Sequence, residues 1–163
     1  MRILVTGGSG FIGSNYILNQ IINNNRTILN IDNLTYAGNS ENLIEIKSNP
    51  NYSFLKGNIC DLDFISSAIN NFQPDAIVHF AAESHVDRSI DDPLNFVNTN
   101  ILGTANLLNA SLNYWSTITK PFKFIHISTD EVFGSLGKNG LFDEETKYDP
   151  SSPYSASKAS SDH

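Results

Sequence analysis

Arg2-Ile3-Leu4-Val5-Thr6-Gly7-Gly8-Ser9-Gly10-Phe11-Ile12-Gly13 decides the fold. The aliphatic run Arg2 to Thr6 predicts a short buried strand. From Phe11 to Asn24, Ile12, Tyr16, Ile17, Ile21 and Ile22 recur at helical spacing and predict a helix. Between them lies G-x-x-G-x-x-G. There Gly7 permits a tight turn, Gly10 lets a pyrophosphate approach the backbone, and Gly13 allows close helix–strand packing. The helix N-terminus then offers free N–H groups and a positive dipole end to phosphates. The pattern reads as a dinucleotide-binding turn.

The next strand supports this. Thr27 to Ile31 reads as strand two and ends at Asp32, 19 residues after Gly13. A carboxylate there can accept both hydroxyls of an adenosine ribose, although an acid at a strand end can also be a cap. No Arg adjoins it to take a 2′-phosphate, so NAD is favoured over NADP.

Outward from this unit the alternation continues. A short helix carries Leu43, Ile44 and Ile46, Tyr52 to Leu55 reads as strand three, and Asp61 caps a helix through Ile69. Strand four is Ala76 to Phe80, and a long helix from Pro93 carries Phe96, Val97, Ile101, Leu107, Leu108 and Leu112. Phe122 to Ile127 is strand five, and Ser151 or Ser152 caps a last helix with Pro153 in its first turn. Strands alternating with helices predict an α/β fold with a Rossmann-type doubly wound parallel sheet. Residues 1–163 form one NAD-binding domain in this reading, with no internal repeat or linker.

Composition narrows the partners. Ten Lys and Arg against 17 Asp and Glu give a net charge of −7, which disfavours nucleic acid and anionic membranes. No apolar run is long enough to span a bilayer, and the immediate strand leaves no room for a signal peptide. The single Cys60 excludes an internal disulfide and fits a reducing cytoplasm. No metal-ligand spacing is present. His79 and His126 read as packing or bonding within their strands, and Cys60 as a core or near-cofactor residue.

The chemistry concentrates in Ser128-Thr129-Asp130-Glu131-Val132-Phe133-Gly134 and Tyr154-Ser155-Ala156-Ser157-Lys158. Lys158 lies one helical turn beyond Tyr154, on the same face. Its charge, with that of oxidised nicotinamide, is expected to bring the phenol from about 10 towards neutrality. Neighbouring carboxylates repel, which suits one base and one acid.

The glycine turn, Phe80-Ala81-Ala82-Glu83-Ser84-His85-Val86-Asp87-Arg88-Ser89 and Tyr154-x-x-x-Lys158 together resemble the extended short-chain dehydrogenase/reductases. Asp32-Asn33-Leu34-Thr35-Tyr36-Ala37-Gly38 and Thr129-Asp130-Glu131 resemble the dTDP-glucose 4,6-dehydratases among them. The resemblance covers the whole chain, and epimerases of the same fold usually carry small polar residues in place of the acids.

The resemblance implies a nucleotide-sugar substrate, dTDP-glucose, and NAD as cofactor. Gly7, Gly10, Phe11, Ile12 and Gly13 would lie against the pyrophosphate, and Asp32, Asn33, Leu34 and Thr35 would hold the ribose. Asn58 and Ile59 would contact adenine, with Asn58 standing where the family usually has Asp. Phe80, Ala81, Ala82, Glu83 and Ser84 would line the nicotinamide side, joined by Thr99, Tyr154 and Lys158. Ser84 and Thr129 would also touch the sugar. Phe133 replaces a Tyr of the family.

The implied reaction has three stages. Tyr154, supported by Lys158, removes the C4 hydroxyl proton as hydride leaves, while Thr129 bonds the C4 oxygen. Glu131 then takes the C5 proton and Asp130 protonates the departing C6 hydroxyl. Hydride returns to C6, leaving a 4-keto-6-deoxy sugar.

The sequence stops five residues after Lys158. The family's C-terminal portion, which holds the nucleotide-sugar, is expected to be absent, and the family's full-length enzyme is a homodimer. Weak NAD binding, poor solubility or oligomerisation and no turnover are the expectations for this chain alone. The alternatives are a UDP-sugar 4,6-dehydratase or 4-epimerase of the same fold, or a catalytically silent NAD-binding fragment.

Overall fold

Aliphatic strands too apolar to face water must be covered on both sides, and the three central strands of the sheet are built that way. The computed structural model describes residues 1–163. Its strands are β1 (Arg2–Thr6), β2 (Thr27–Asp32), β3 (Tyr52–Lys56), β4 (Ala76–His79) and β5 (Lys123–His126). All pair in parallel, in the order β3-β2-β1-β4-β5. Leu4, at the centre, pairs with Leu29 on one side and Ile77 on the other.

The helices cover both faces. Ile17 and Ile21 of α1 (Phe11–Ile22) pack with Ile3, Val5, Ile28 and Val78. On the opposite face, Ile65 and Ile69 of α2 (Leu62–Phe72) meet Leu4, Ile77, Leu107 and Tyr114. The chain winds to β3 on one side, then returns to build β4 and β5 on the other. That reversal leaves a crevice beyond the carboxyl ends of β1 and β4, where ligands of such sheets bind. The doubly wound α/β architecture expected from the alternation is the one observed.

Local signals explain the ends. Asp61 Oδ1 accepts from Phe64 N at 3.0 Å and starts α2. Ser152 caps α6 (Pro153–Asp162), where it and Ser155 form a reciprocal pair with Pro153 at the first turn.

Several details depart from the sequence reading, strand four ending at His79 rather than Phe80 among them. A short α3 (Val86–Asp91) precedes Pro93, starting inside the run quoted only as a motif. The long helix is interrupted: α4 (Pro93–Phe96) passes through a π-helical stretch, Val97–Gly103, into α5 (Thr104–Trp115). A widened turn of this kind re-aims side chains, and it falls beside the crevice. Strand five is also shorter than Phe122 to Ile127, although Ile127 N still donates to His79 O at 3.1 Å.

Candidate active site

The turn after β1 is shaped by close approach. Gly7 has φ +73°, and a Cβ there would stand 2.5 Å from Ala81 N, so only glycine lets this turn pass under β4's exit. At Gly13 an added Cβ would collide with the Gly7 carbonyl, which is why α1 can start so near the strand. Gly10 faces the cleft and caps α1 with no side chain, leaving the first helical N–H groups without intrahelical partners.

Asp32 closes the other side of the turn. Its Oδ2 accepts from Ser9 N at 2.9 Å and its Oδ1 from Leu34 N at 2.8 Å. A carboxylate has about four acceptor positions, so each oxygen keeps one for a hydroxyl. The capping and ribose-binding readings are therefore compatible in one side chain. Leu34, expected among the cofactor residues, does not line the cleft. With φ +53° it turns the chain so that its N–H reaches Asp32.

A cleft of ≈ 390 Å³ runs from this turn across the ends of β1 and β4. Gly7, Gly10, Phe11, Ile12 and Gly13 line its start, and Asp32, Asn33 and Thr35 flank it. Asn58 and Ile59 close the adenine side assigned by resemblance. Phe80, Ala81, Ala82, Glu83 and Ser84 form the far wall with Thr99, and Tyr154 and Lys158 complete it. Ala37, Gly38, Gly57 and Ser128 also line it and went unassigned in sequence. Gly38 carried a signal: a Cβ there would stand 2.7 Å from Asp32 Oδ1.

The π-helical stretch fixes the far wall. Asn100 Oδ1 accepts from Glu83 N at 2.8 Å, while its Nδ2 donates to Glu83 O and Ser157 Oγ, each at 2.9 Å. One buried amide thus ties the strand-four exit to α6. Glu83 is 5% exposed with Oε2 unpartnered, and burial pushes its carboxyl pKa up, against the pull of Arg88.

Thr129, Asp130 and Glu131 sit just outside. Thr129 precedes the 3-10 turn Asp130–Phe133, its Oγ1 accepting from Glu131 N at 3.3 Å, and both acids are exposed. Thr129 and Asp130 border an adjoining depression that shares Ser128 with the cleft, whereas Glu131 lines neither. Phe133 packs on Phe142 and Tyr148, with ring centroids 5.4 and 5.3 Å apart.

Tyr154 is buried, its ring edge-on to Phe96. The expected lowering of its phenol is not what these residues do by themselves. Burial pushes the pKa up, the Thr129 hydroxyl draws it down, and Glu131 and Asp130 push it up again. Lys158 is occupied elsewhere: its Nζ donates to Ile127 O at 2.7 Å and lies 3.3 Å from His126 Nε2. Burial lowers its own pKa to about 8. His79 bonds Thr6 Oγ1 at 2.7 Å and Thr104 Oγ1 at 3.0 Å, bridging β1 to α5 as a structural residue.

The chain is similar to known proteins along its length. The family model described as GDP-mannose 4,6 dehydratase matches residues 4–163. A probable dTDP-glucose 4,6-dehydratase of Sinorhizobium fredii is 53% identical, covering 100% of this chain and 47% of that protein. The dTDP-glucose 4,6-dehydratase of Haemophilus influenzae is also 53% identical, over 100% of this chain and 50% of its own. The crystal structure of dTDP-glucose 4,6-dehydratase from Bacillus anthracis in complex with NAD superposes with a TM-score of 0.86 at 45% identity. It covers 99% of this chain and 48% of that one. A UDP-glucose 4-epimerase of Thermus thermophilus in complex with NAD reaches the same TM-score at 32% identity, over 100% of this chain and 49% of that one. The chain spans about half the length of the relatives it matches.

Proposed function

The chain belongs to the GDP-mannose 4,6 dehydratase family, and from that premise we propose that it is the NAD-binding part of a dTDP-glucose 4,6-dehydratase. The observation that carries the reading is a single cleft with the glycine turn and Asp32 at one end and Tyr154 and Lys158 at the other. The residues fit the cofactor. Gly10 leaves the start of α1 open to a pyrophosphate, and Asp32 keeps an acceptor position on each oxygen for a ribose. Asn58 Oδ1 already accepts from Cys60 N at 2.9 Å and retains one lone pair for an adenine amino group. NAD supplies an acceptor for hydride from the sugar and a donor for its return.

The residues of this chain handle protons and orientation. Tyr154 takes the C4 hydroxyl proton, with Thr129 on the same oxygen and Lys158 behind it. The resulting ketone acidifies C5, whose proton goes to Glu131, and Asp130 protonates the C6 hydroxyl as it leaves. The exposed turn supports this division, since acids that must reach a sugar cannot be sealed beneath the cofactor. Thr129-Asp130-Glu131 also favours dehydration over the epimerisation that neighbours of this fold perform.

The reading extends to the whole protein as a cytoplasmic homodimer. Leu94, Leu108, Leu112 and Trp115 are exposed apolar side chains along α4 and α5, which suits a helical interface. No helix is long and apolar enough to cross a membrane.

The test uses full-length protein with dTDP-glucose, following the 4-keto-6-deoxy product by NMR. Asp130→Asn and Glu131→Gln should each lower turnover by about 100-fold or more while NAD affinity holds. Unimpaired dehydration in both variants would sink the assignment.

A further inference from the structure

The loop that joins the Asp130–Phe133 turn to α6 carries reactive chemistry outside the cleft. Asn139 is followed by Gly140, and no other Asn of the chain precedes a glycine. Every residue from Ser135 to Leu141 is exposed, and none lies in a helix or strand. The Gly140 N–H donates to no backbone carbonyl. Hydrogen bonds of this loop resume only at Asp143, which pairs with Thr146 and Glu145. We propose that Asn139-Gly140 is a modification site, where the chain deamidates itself through a cyclic imide to aspartate and isoaspartate.

The step needs no partner but water. Hydroxide takes the Gly140 amide proton, and the nitrogen attacks Cγ of Asn139. The N–Cγ bond forms, the Cγ–Nδ2 bond breaks, and ammonia leaves with the proton returned. Water then opens the imide. Breaking the new N–Cγ bond gives aspartate, whereas breaking the original peptide bond leaves the chain running through Cγ, as isoaspartate. No atom changes oxidation state.

The local structure supplies what this attack requires. A backbone N–H already bonded in a helix or sheet is not free to react, and the one at Gly140 is free. A side chain beside the attacking nitrogen would hinder it, and Gly140 has none. Its φ of +127° is one that L side chains rarely adopt, and a Cβ added there would meet only Leu136 Cδ2, at 3.6 Å. Asn39, followed by the small Ser40, is the informative contrast. Its Oδ1 accepts from Glu41 N at 3.0 Å and its own N–H donates to Ser9 O at 3.0 Å, so its carboxamide is held. Asn109 precedes Ala110, but both lie within α5.

The change adds one negative charge to a chain already at −7. The isoaspartyl form also inserts a carbon into the backbone three positions before Phe142. That ring packs on Phe133, which ends the turn carrying Asp130 and Glu131.

The test holds full-length protein at pH 7 and pH 9, and follows residue 139 by isoelectric focusing and peptide mass mapping. An acidic form should accumulate, faster at pH 9, with the gain in mass confined to the Asn139 peptide. Isoaspartate should appear beside aspartate, since only the imide yields it. The folded rate should lie within about threefold of that in the urea-unfolded chain, because an open loop has little structure to lose first. Folding should slow Asn39 about tenfold or more, because its hydrogen bonds must break before its ring can close. Asn139→Gln, in a loop with no contacts to lose, should remove the acidic form, since the longer amide cyclises far more slowly. A stable Asn139 at pH 9, aspartate without isoaspartate, a folded rate as suppressed as that of Asn39, or an unchanged acidic form in Asn139→Gln overturns the proposal.

Discussion

Lys158 carries a measurable cost to the fold. It is 3% exposed, and burial takes its pKa from 10.5 to about 8, against an upward pull from Asp162. Between those values the unfolded chain binds a proton that the folded chain does not, so stability rises with pH across the window. Below about pH 8 the penalty is complete, at roughly 3 kcal/mol from about 1.4 kcal/mol per pH unit. Urea unfolding of the parent and of Lys158→Met at pH 7.5 and pH 10 isolates it, because tyrosines and other groups titrate in both. The parent should gain about 2 kcal/mol over the variant between the two conditions, with matching m-values. By thermal unfolding the same gain is about 4–8 °C for a domain of this size. Parallel pH profiles for the two proteins would refute the argument, since they would mean that Lys158 stays fully charged in the fold up to pH 10.

His79 gives the corresponding effect on the acid side. Burial, reinforced by His126 and Lys158, lowers its pKa well below 6.5, so the unfolded chain binds the extra proton as pH falls. The parent should lose about 1.4 kcal/mol per pH unit below roughly pH 6.5 relative to His79→Asn, read as midpoints of urea unfolding. Equal slopes would contradict a buried neutral imidazole. Gly7→Ala should destabilise by roughly 2–4 kcal/mol, because it adds a left-handed alanine and a clash with the Ala81 backbone. An unfolding midpoint within error of the parent would show that the turn can relax.

The legible and illegible parts of the fold differ in how local their causes are. β1, the glycine turn and α1 follow from residues close in sequence, as do the Asp61 and Ser152 caps, so periodicity and turn chemistry were enough. The π-helical stretch at Val97–Gly103 has no such signal. Its apolar residues fit an unbroken helix, and the reason to break it lies in Glu83 and Ser157, which Asn100 holds from 17 and 57 residues away. α3 was likewise hidden inside a stretch whose motif drew the reading away from its helical potential.

The same distinction governs the site. The glycines and Asp32 were read from a turn and a strand end, the other cofactor residues from the family resemblance, and the cleft gathers all of them with the exception of Leu34. The pull of Lys158 on Tyr154 was read from their spacing, with oxidised nicotinamide as the second charge, and spacing does not say which partners a side chain prefers. One helical turn brings Lys158 to the face of Tyr154, yet its Nζ donates to the Ile127 carbonyl just past the end of β5 and lies 3.3 Å from His126 Nε2 on that strand. The alternation along β5 was the missed cue. Lys123 and Ile125 are exposed while Phe124 and His126 turn inward, which puts an imidazole under α6. Because burial and the acids of the neighbouring turn both raise the Tyr154 phenol, these residues do not themselves make a ready base. In the proposed reaction the positive charge of oxidised nicotinamide would supply the downward pull that these residues lack. Tyr154 should therefore titrate lower in the NAD complex than in the free protein.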